Sequence, residues 1–354
     1  MKPIKRDPIR FDVFNALAQF SHEQRLSVTD PKTADPFLQQ IRSSLHATVN
    51  NESFLYGQRT QAMFEALVLS LAEVNFLKQE DSGSLYSTAE ELQVPDYRLV
   101  FPNGKQLLIE VKNFYQKNTF DEPFEMTHSY FNGLSNYSRL VGCDLMVAIY
   151  WVKWNKWTLV QPKRFVLGSG YANLSFPSAV MFNEMSLLGD IMIGARFPLA
   201  IHVEARTDEP RAVQASGEVS FKIADIKIFC ADREVESTLE RNIGWYLMNH
   251  GLWIESPPLP IINNGQLDGL KFEWFPQDYH EDRDRYDSQG FAVIGTLSEM
   301  YSKFYRRVTQ SDGRIGQIHV DVTPGTLGQM IPKDYEGERL PLWRFKIQPM
   351  SEKT

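Results

Sequence analysis

The chain has 354 residues, of which 43% are hydrophobic and 23% charged, the balance of a soluble globular protein with room for two domains and a substantial core. No apolar run approaches the ~18 residues of a membrane span. The formal net charge of −7 argues against a generic nucleic-acid binder, but the charge is uneven: residues 1–170 hold 18 Lys+Arg and 18 Asp+Glu, residues 171–354 hold 19 and 26. Cys143 and Cys230 are the only cysteines. The N-terminus, MKPIKRDPIRFDVF, is basic and lacks the apolar core of a signal peptide. Two isolated thiols then predict a reduced, cytoplasmic setting rather than a disulfide framework, and with scattered histidines they give no zinc spacing.

Residues 1–50 read as polar and helical, broken by Pro31 and Pro36. Phe37, Ile41 and Leu45 recur at helical spacing, which predicts a short helix packed on the body of the protein. After Gly57 the stripe Phe64, Leu67, Val68 and Leu71, extended by Val74 and Phe76, predicts an amphipathic helix. Gln58, Gln61 and Glu65 fall on a neighbouring face, polar but next to the core. Glu65 is either a solvated helix residue or a functional carboxylate, with Glu73 its competitor two turns on. Lys78–Gln93, with Gly83 and the Glu90-Glu91 pair, reads as loop.

Val94–Asn113, VPDYRLVFPNGKQLLIEVKN, reads as two strands joined by a tight turn. A two-residue Asn103-Gly104 loop would mix polar and apolar residues on each face. A three-residue loop, Pro102-Asn103-Gly104, sets Tyr97 opposite Ile109 and Leu99 opposite Leu107 on one apolar face. Asp96 then faces Glu110, and Arg98 faces Leu108, on the other. The chemistry agrees, since Pro suits the first position of a type I turn and Gly the left-handed bulge position. Lys112 shares the face of Glu110. Two carboxylates so close repel unless a divalent cation lies between them.

This arrangement, Pro95-Asp96 followed by Glu110-Val111-Lys112 across a hairpin, resembles the PD-(D/E)XK nuclease superfamily. The resemblance covers roughly residues 50–160. It implies that Asp96 and Glu110 bind Mg²⁺ or Mn²⁺ together with the main-chain carbonyl of Val111. It further implies that Lys112 positions or activates the attacking water, and that Glu65 is the added carboxylate from a preceding helix.

Beyond the hairpin, Gln116–Glu125 reads as a polar connection and Phe124–Val141 as a helix, with Phe131, Leu134 and Val141 inward and Gly142 just past its end. Leu145–Tyr150 is a continuous apolar run, a strand buried on both faces. In YWVKWNKWTLVQPKRF the tryptophans Trp151, Trp154 and Trp157 are expected inside a hairpin turning at Asn155-Lys156. The cations Lys153, Lys156, Lys163 and Arg164 are expected to form a rim facing nucleic acid, since no acid interrupts residues 145–183. Strands are predicted in FPLAIHVEA and GEVSFKIADIKIFC, the second bending at Ala224-Asp225. A helix ends at Gly251, and PPLPIINNGQLDG reads as loop. DYHEDRDRYDSQG, with His280, lacks calcium or zinc spacing and reads as a solvated loop. GTLSEMYSKFYRRVT is a helix, with Lys303, Arg306 and Arg307 near its C-terminal end, where cations suit the helix dipole.

The reading is an α/β protein. A restriction-endonuclease-like mixed sheet flanked by helices occupies residues 1–165, and a second α+β domain, 166–354, serves oligomerisation, sensing or partner docking. The expected activity is divalent-metal-dependent phosphodiester hydrolysis in DNA, in a restriction, mobile-element or phage-defence setting by family analogy alone. The alternatives are an RNA-cleaving member of the same fold and an inactive interaction subunit. No serine-hydrolase elbow or phosphate-binding P-loop is present. A homodimer or partner protein is expected to engage residues 166–354, and no membrane is expected.

Overall fold

The structure is a computed structural model that describes residues 12–80, 86–87, 91–117, 122–214 and 216–350. The basic N-terminal stretch, Gly83 and Glu90 lie outside the described residues. Three helices open the fold: α1 (Phe14–Gln24), α2 (Ala34–Val49) and α3 (Glu52–Leu71). Then come β1 (Phe76–Gln79), β2 (Tyr97–Val100), β3 (Gln106–Phe114), β4 (Phe124–Thr127), α4 (His128–Val141), β5 (Asp144–Trp151) and β6 (Lys156–Val160). The main sheet runs β1-β2-β3-β5-β6, with β3 and β5 parallel and every other pair antiparallel. This is a mixed sheet with a helix on each face.

The hairpin register carries that arrangement. Tyr97 pairs with Ile109, Arg98 with Leu108 and Leu99 with Leu107, as the three-residue loop requires. Phe101 N–H closes on the Lys105 carbonyl (2.9 Å), and Gly104 takes φ +81°, a conformation that glycine adopts without a Cβ penalty. Tyr97, Leu99, Leu107, Ile109 and Val111 join the core under α3, whereas Leu108 joins a second core under α4 with Phe131, Leu134, Val147 and Ile149. Gly142 caps α4 in the left-handed region, as predicted.

Several expectations shift. Gly57 lies inside α3, which begins at Glu52 because the Asn51 side chain accepts from Phe54 N–H at the N-cap. The helix stops at Leu71, so Val74 does not extend it, and Phe76 opens the unpredicted edge strand β1. Pro36 sits in the first turn of α2, where its missing N–H costs nothing. In α2 only Phe37 is buried, against Phe20, while Ile41 and Leu45 are exposed. Phe124–Thr127 is a strand rather than helix: Phe124 and Met126 alternate inward, and Thr127 caps α4 with its side chain.

The two halves are not separate. β7 (Val166–Leu167) and β8 (Tyr171–Leu174) form a three-stranded sheet with β4, so the chain stays with the first half beyond residue 165. After α5 (Phe176–Met181) come β9 (Met192–Ala195) and β10 (Leu199–Ala205), the latter central to a six-stranded sheet flanked by strands Ile223–Cys230 and Gln266–Pro276. A bulge opposite Glu204-Ala205 falls at Ala224, where the bend was expected. Leu259–Asn263 and Gln266–Pro276 make a hairpin where a loop was expected. The helices of this half are α6 (Thr238–His250), α7 (Arg283–Gln289), within the stretch expected to be a solvated loop, and α8 (Leu297–Thr309). One apolar core runs from Met63 and Leu67 of α3 through Ile109, Ala148 and Leu159 to Ile193, Leu199, Ile243 and Met300. Among the described residues no helix is long and apolar enough to cross a membrane.

Candidate active site

The hairpin ends where β3 enters the sheet centre, and the charged residues gather there. Glu110 is 1% exposed. Its Oε1 lies 2.6 Å from Lys112 Nζ and accepts a 2.6 Å hydrogen bond from the Tyr130 hydroxyl. Lys112 Nζ also donates to that hydroxyl at 3.0 Å and stands 4.3 Å from the ring centroid. Tyr130 is placed by the first turn of α4, where its N–H meets the Thr127 side chain. Glu110 Oε2, by contrast, is buried with no hydrogen-bond partner. A buried carboxylate oxygen in that state is costly, and a hydrogen-bond donor or a cation at that oxygen would offset the cost.

Asp96 lies just before β2, and each of its carboxylate oxygens accepts from a neighbouring donor. Gln61 Nε2 of α3 donates to Oδ1 (2.7 Å), and the Val111 N–H donates to Oδ2 (2.7 Å). The main chain between Glu110 and Lys112 thus anchors Asp96, which joins the two carboxylates through one residue of β3. Asp96 is partly exposed, so it keeps access from solvent. Glu65 stands one turn beyond Gln61 on α3 and accepts from the Tyr97 hydroxyl at 3.2 Å. That hydroxyl also reaches the Gln61 carbonyl (3.1 Å). Burial, then the Glu65 charge, pushes the Tyr97 pKa far up, so the phenol stays a neutral donor. Glu73 is elsewhere: it pairs with Lys333 at 2.5 Å beyond the end of α3.

In kind, the carboxylates of Asp96 and Glu110, the latter with an orphaned oxygen, suit a hard divalent cation. Among the described residues no three His, Cys, Asp or Glu side chains cluster as a metal site. Water would therefore complete the coordination, as it commonly does around Mg²⁺.

The four expected rim cations do not stand together. Lys156 is ion-paired with Glu299 at 2.8 Å against the second half. Lys163 lines a cavity of about 360 Å³ with Lys105, Leu107 and Asp144, at the opposite end of β3 and β5 from Lys112. Arg164 lies 4.0 Å from the Phe182 ring centroid. Only Lys153, which donates to the Lys117 carbonyl (3.2 Å), follows the C-terminal end of β5 on the side of the carboxylates. Trp151 and Trp157 are buried, while Trp154 is exposed and stacked on Phe176. Tyr130 and Tyr97 are the site residues that the sequence alone did not single out. Tyr97 was assigned to the apolar face, and nothing in sequence spacing ties Tyr130 to Glu110.

No family model matches the chain, and no curated protein does. Among solved structures the chain is similar to a Holliday junction resolvase from the archaeal hyperthermophile Archaeoglobus fulgidus, with 14% identity over 38% of this chain and 96% of that one, at a TM-score of 0.29. An overlap of that extent carries no weight in assigning function.

Proposed function

We propose that the protein is a divalent-metal-dependent nuclease that hydrolyses phosphodiester bonds, with DNA as its substrate. The observation that carries this reading is Glu110: fully buried, ion-paired on one oxygen and orphaned on the other, next to the main-chain N–H that holds Asp96. Asp96 and Glu110 would hold the cation with the Val111 carbonyl. When bound, Mg²⁺ or Mn²⁺ supplies charge neutralisation at the phosphate and lowers the pKa of water. Asp96 is pre-oriented by Gln61 and Val111, so its carboxylate need not reorganise on binding. Lys112, paired with Glu110 and braced by Tyr130, would donate to the attacking water or to a phosphate oxygen. Glu65 supports the site from α3 through Tyr97.

The test is cleavage of DNA and RNA oligonucleotides with Mg²⁺ or Mn²⁺. Asp96→Ala and Lys112→Ala should each abolish cleavage while the circular dichroism spectrum is retained. Full activity in a clean Asp96→Ala preparation would sink the assignment. Preference for RNA would correct the substrate, and no cleavage by the wild type would make the chain an interaction subunit.

A further inference from the structure

We propose that Arg306, backed by Arg59, forms a phosphate-binding subsite through which the second half of the chain grips the strand presented to the carboxylate site. This inference rests on the nuclease reading for the identity of the strand.

The geometry starts at the sheet. Tyr150 of β5 pairs with Asn113 of β3, the residue after Lys112. Arg306, in the last turn of α8, donates through Nη2 to the Tyr150 hydroxyl at 2.8 Å and is itself exposed. An arginine from the second half is thereby fixed at the C-terminal end of β3 and β5 on the α3 face of the sheet, while Glu110 and Lys112 turn to the α4 face at the same end. Behind it lies Arg59 of α3, 4% exposed, two residues before the Gln61 that holds Asp96. Arg59 Nε donates to Thr309 Oγ1 (2.9 Å) and its Cζ lies 5.2 Å from the Tyr305 ring centroid, but its Nη2 is buried with no hydrogen-bond partner.

Neither guanidinium forms an ion pair among the described residues. Burial lowers the Arg59 pKa, and the Arg306 charge lowers it further against the nearby Tyr305 and Tyr150. Two cations held together without a counter-ion are unfavourable by themselves. A phosphate oxygen at Arg306 relieves both, and a guanidinium suits that partner. A cation in the last turn of a helix is favourable in any case, but that accounts equally for Arg307, whose Nη1 turns to Asn249 of α6 at 3.3 Å. Arg307 is therefore the internal control.

The experiment is binding of a labelled DNA single strand and its duplex by the full-length chain in chelator, read by fluorescence anisotropy across a salt series. Cleavage plays no part. Arg306→Gln should reduce the slope of log K against log salt by about 0.7 on the single strand or about 0.9 on the duplex, as for one lost phosphate contact. Arg307→Gln should leave it unchanged. Arg59→Met, where its melting curve shows a folded protein, should weaken binding in the same direction; where it does not fold, the Arg306 arm decides alone. Wild-type affinity and slope in Arg306→Gln overturn the subsite, as do equal losses in both α8 variants or no binding of either oligonucleotide by the wild type. If the wild type binds through Arg306 yet cleaves nothing with metal, the subsite stands and the nuclease reading falls.

Discussion

Two buried acid clusters sit about the main sheet, and they differ in one respect. At β9 and α8, Asp190 is 6% exposed, but Oδ1 accepts from Ser298 N–H (2.9 Å) and Oδ2 from Ser298 Oγ (2.6 Å). Its neighbour Glu299 is complete too, with Oε1 paired to Lys156 (2.8 Å) and Oε2 accepting from Thr296 N–H (2.6 Å) in a capping box. Every carboxylate oxygen there has a protein partner, so the cluster is finished and holds α8 against β6 and β9. Glu110 is just as deeply buried and leaves one oxygen unmatched. Burial of charge is therefore not what separates the two clusters; the unmatched oxygen of Glu110 is.

The sharpest way to break this comparison is to remove the charge of each acid in turn. Glu110→Gln should lower the metal-dependent cleavage rate by about 10²–10⁴-fold, the range of a lost catalytic group, while metal-free stability changes by less than about 1 kcal/mol, because the loss of the ion pair to the partly exposed Lys112 is offset by removal of a buried charge with an unmatched oxygen. Chemical denaturation and rate measurement on one preparation check both halves of that statement. Asp190→Ala reverses the pattern. It strands the Ser298 N–H and hydroxyl and should cost about 3 kcal/mol of stability, with the cleavage rate of the folded fraction retained. A stable Asp190→Ala protein, or one that folds but does not cut, would erase the distinction.

Metal sharpens it further. At a concentration of Mg²⁺ or Mn²⁺ about 100 times Kd, the wild type should gain about 2.7 kcal/mol, read as a rise in melting temperature. Glu110→Gln and Asp96→Ala should show no such gain, whereas Asp190→Asn should show it in full. A metal-dependent shift that survives Asp96→Ala would place the cation elsewhere.

The smallest effect is in pH. Burial, against the hydrogen bonds from Ser298, pushes Asp190 from 3.8 up to about 6. Burial, then Arg307 and Lys303, pulls His250 from 6.5 down to about 4. The folded state holds the Asp190 proton more tightly than the unfolded chain, so that contribution is full below about pH 4 and is lost as pH rises through 6. For His250 the unfolded chain holds the proton more tightly, so its contribution is present above 6.5 and is lost as pH falls through 4. Between pH 4 and 6 the two slopes oppose each other. Asp190→Asn removes one of them, so its stability should climb more steeply with pH than that of the wild type. Parallel denaturation midpoints across that window would refute the Asp190 shift.

What the sequence revealed follows the range of the forces involved. The Asp96–Lys112 hairpin was legible because alternation and turn chemistry are local, and one register alone separates Tyr97, Leu99, Leu107 and Ile109 from the polar face. The same Asn-Gly chemistry recurs at Asn264 (φ 48°) and Gly265 (φ 74°) and makes a two-residue hairpin turn, yet PPLPIINNGQLDG read as loop because its prolines masked the flanking strands. Lys156 was expected in a nucleic-acid rim because nothing near it in sequence is acidic. Its partner, Glu299, is 143 residues away, and only the docking of α8 brings them together. Spacing left Glu73 as a competitor to Glu65; the fold sets Glu65 against the Tyr97 hydroxyl and Glu73 against Lys333, contacts that no spacing rule encodes. The division at residue 165 failed to register that β8 returns to pair with β4.

The shared core has a consequence for how the protein can be taken apart. Trp157 of β6 is 1% exposed because α8 covers it, its indole N–H donating to Ser302 Oγ at 2.9 Å. A fragment cut at residue 165 or 180 would lose α8 from over Trp157 and strip the apolar partners that Ile193, Leu199, Ile243 and Met300 supply to the shared core, a cost comparable with the margin by which domains are stable. The carboxylate site is therefore not a cassette that the second half merely accompanies. It exists at the concentration at which the whole chain is folded, and a substitution deep in α6 or α8 lowers the number of working sites without touching any of them.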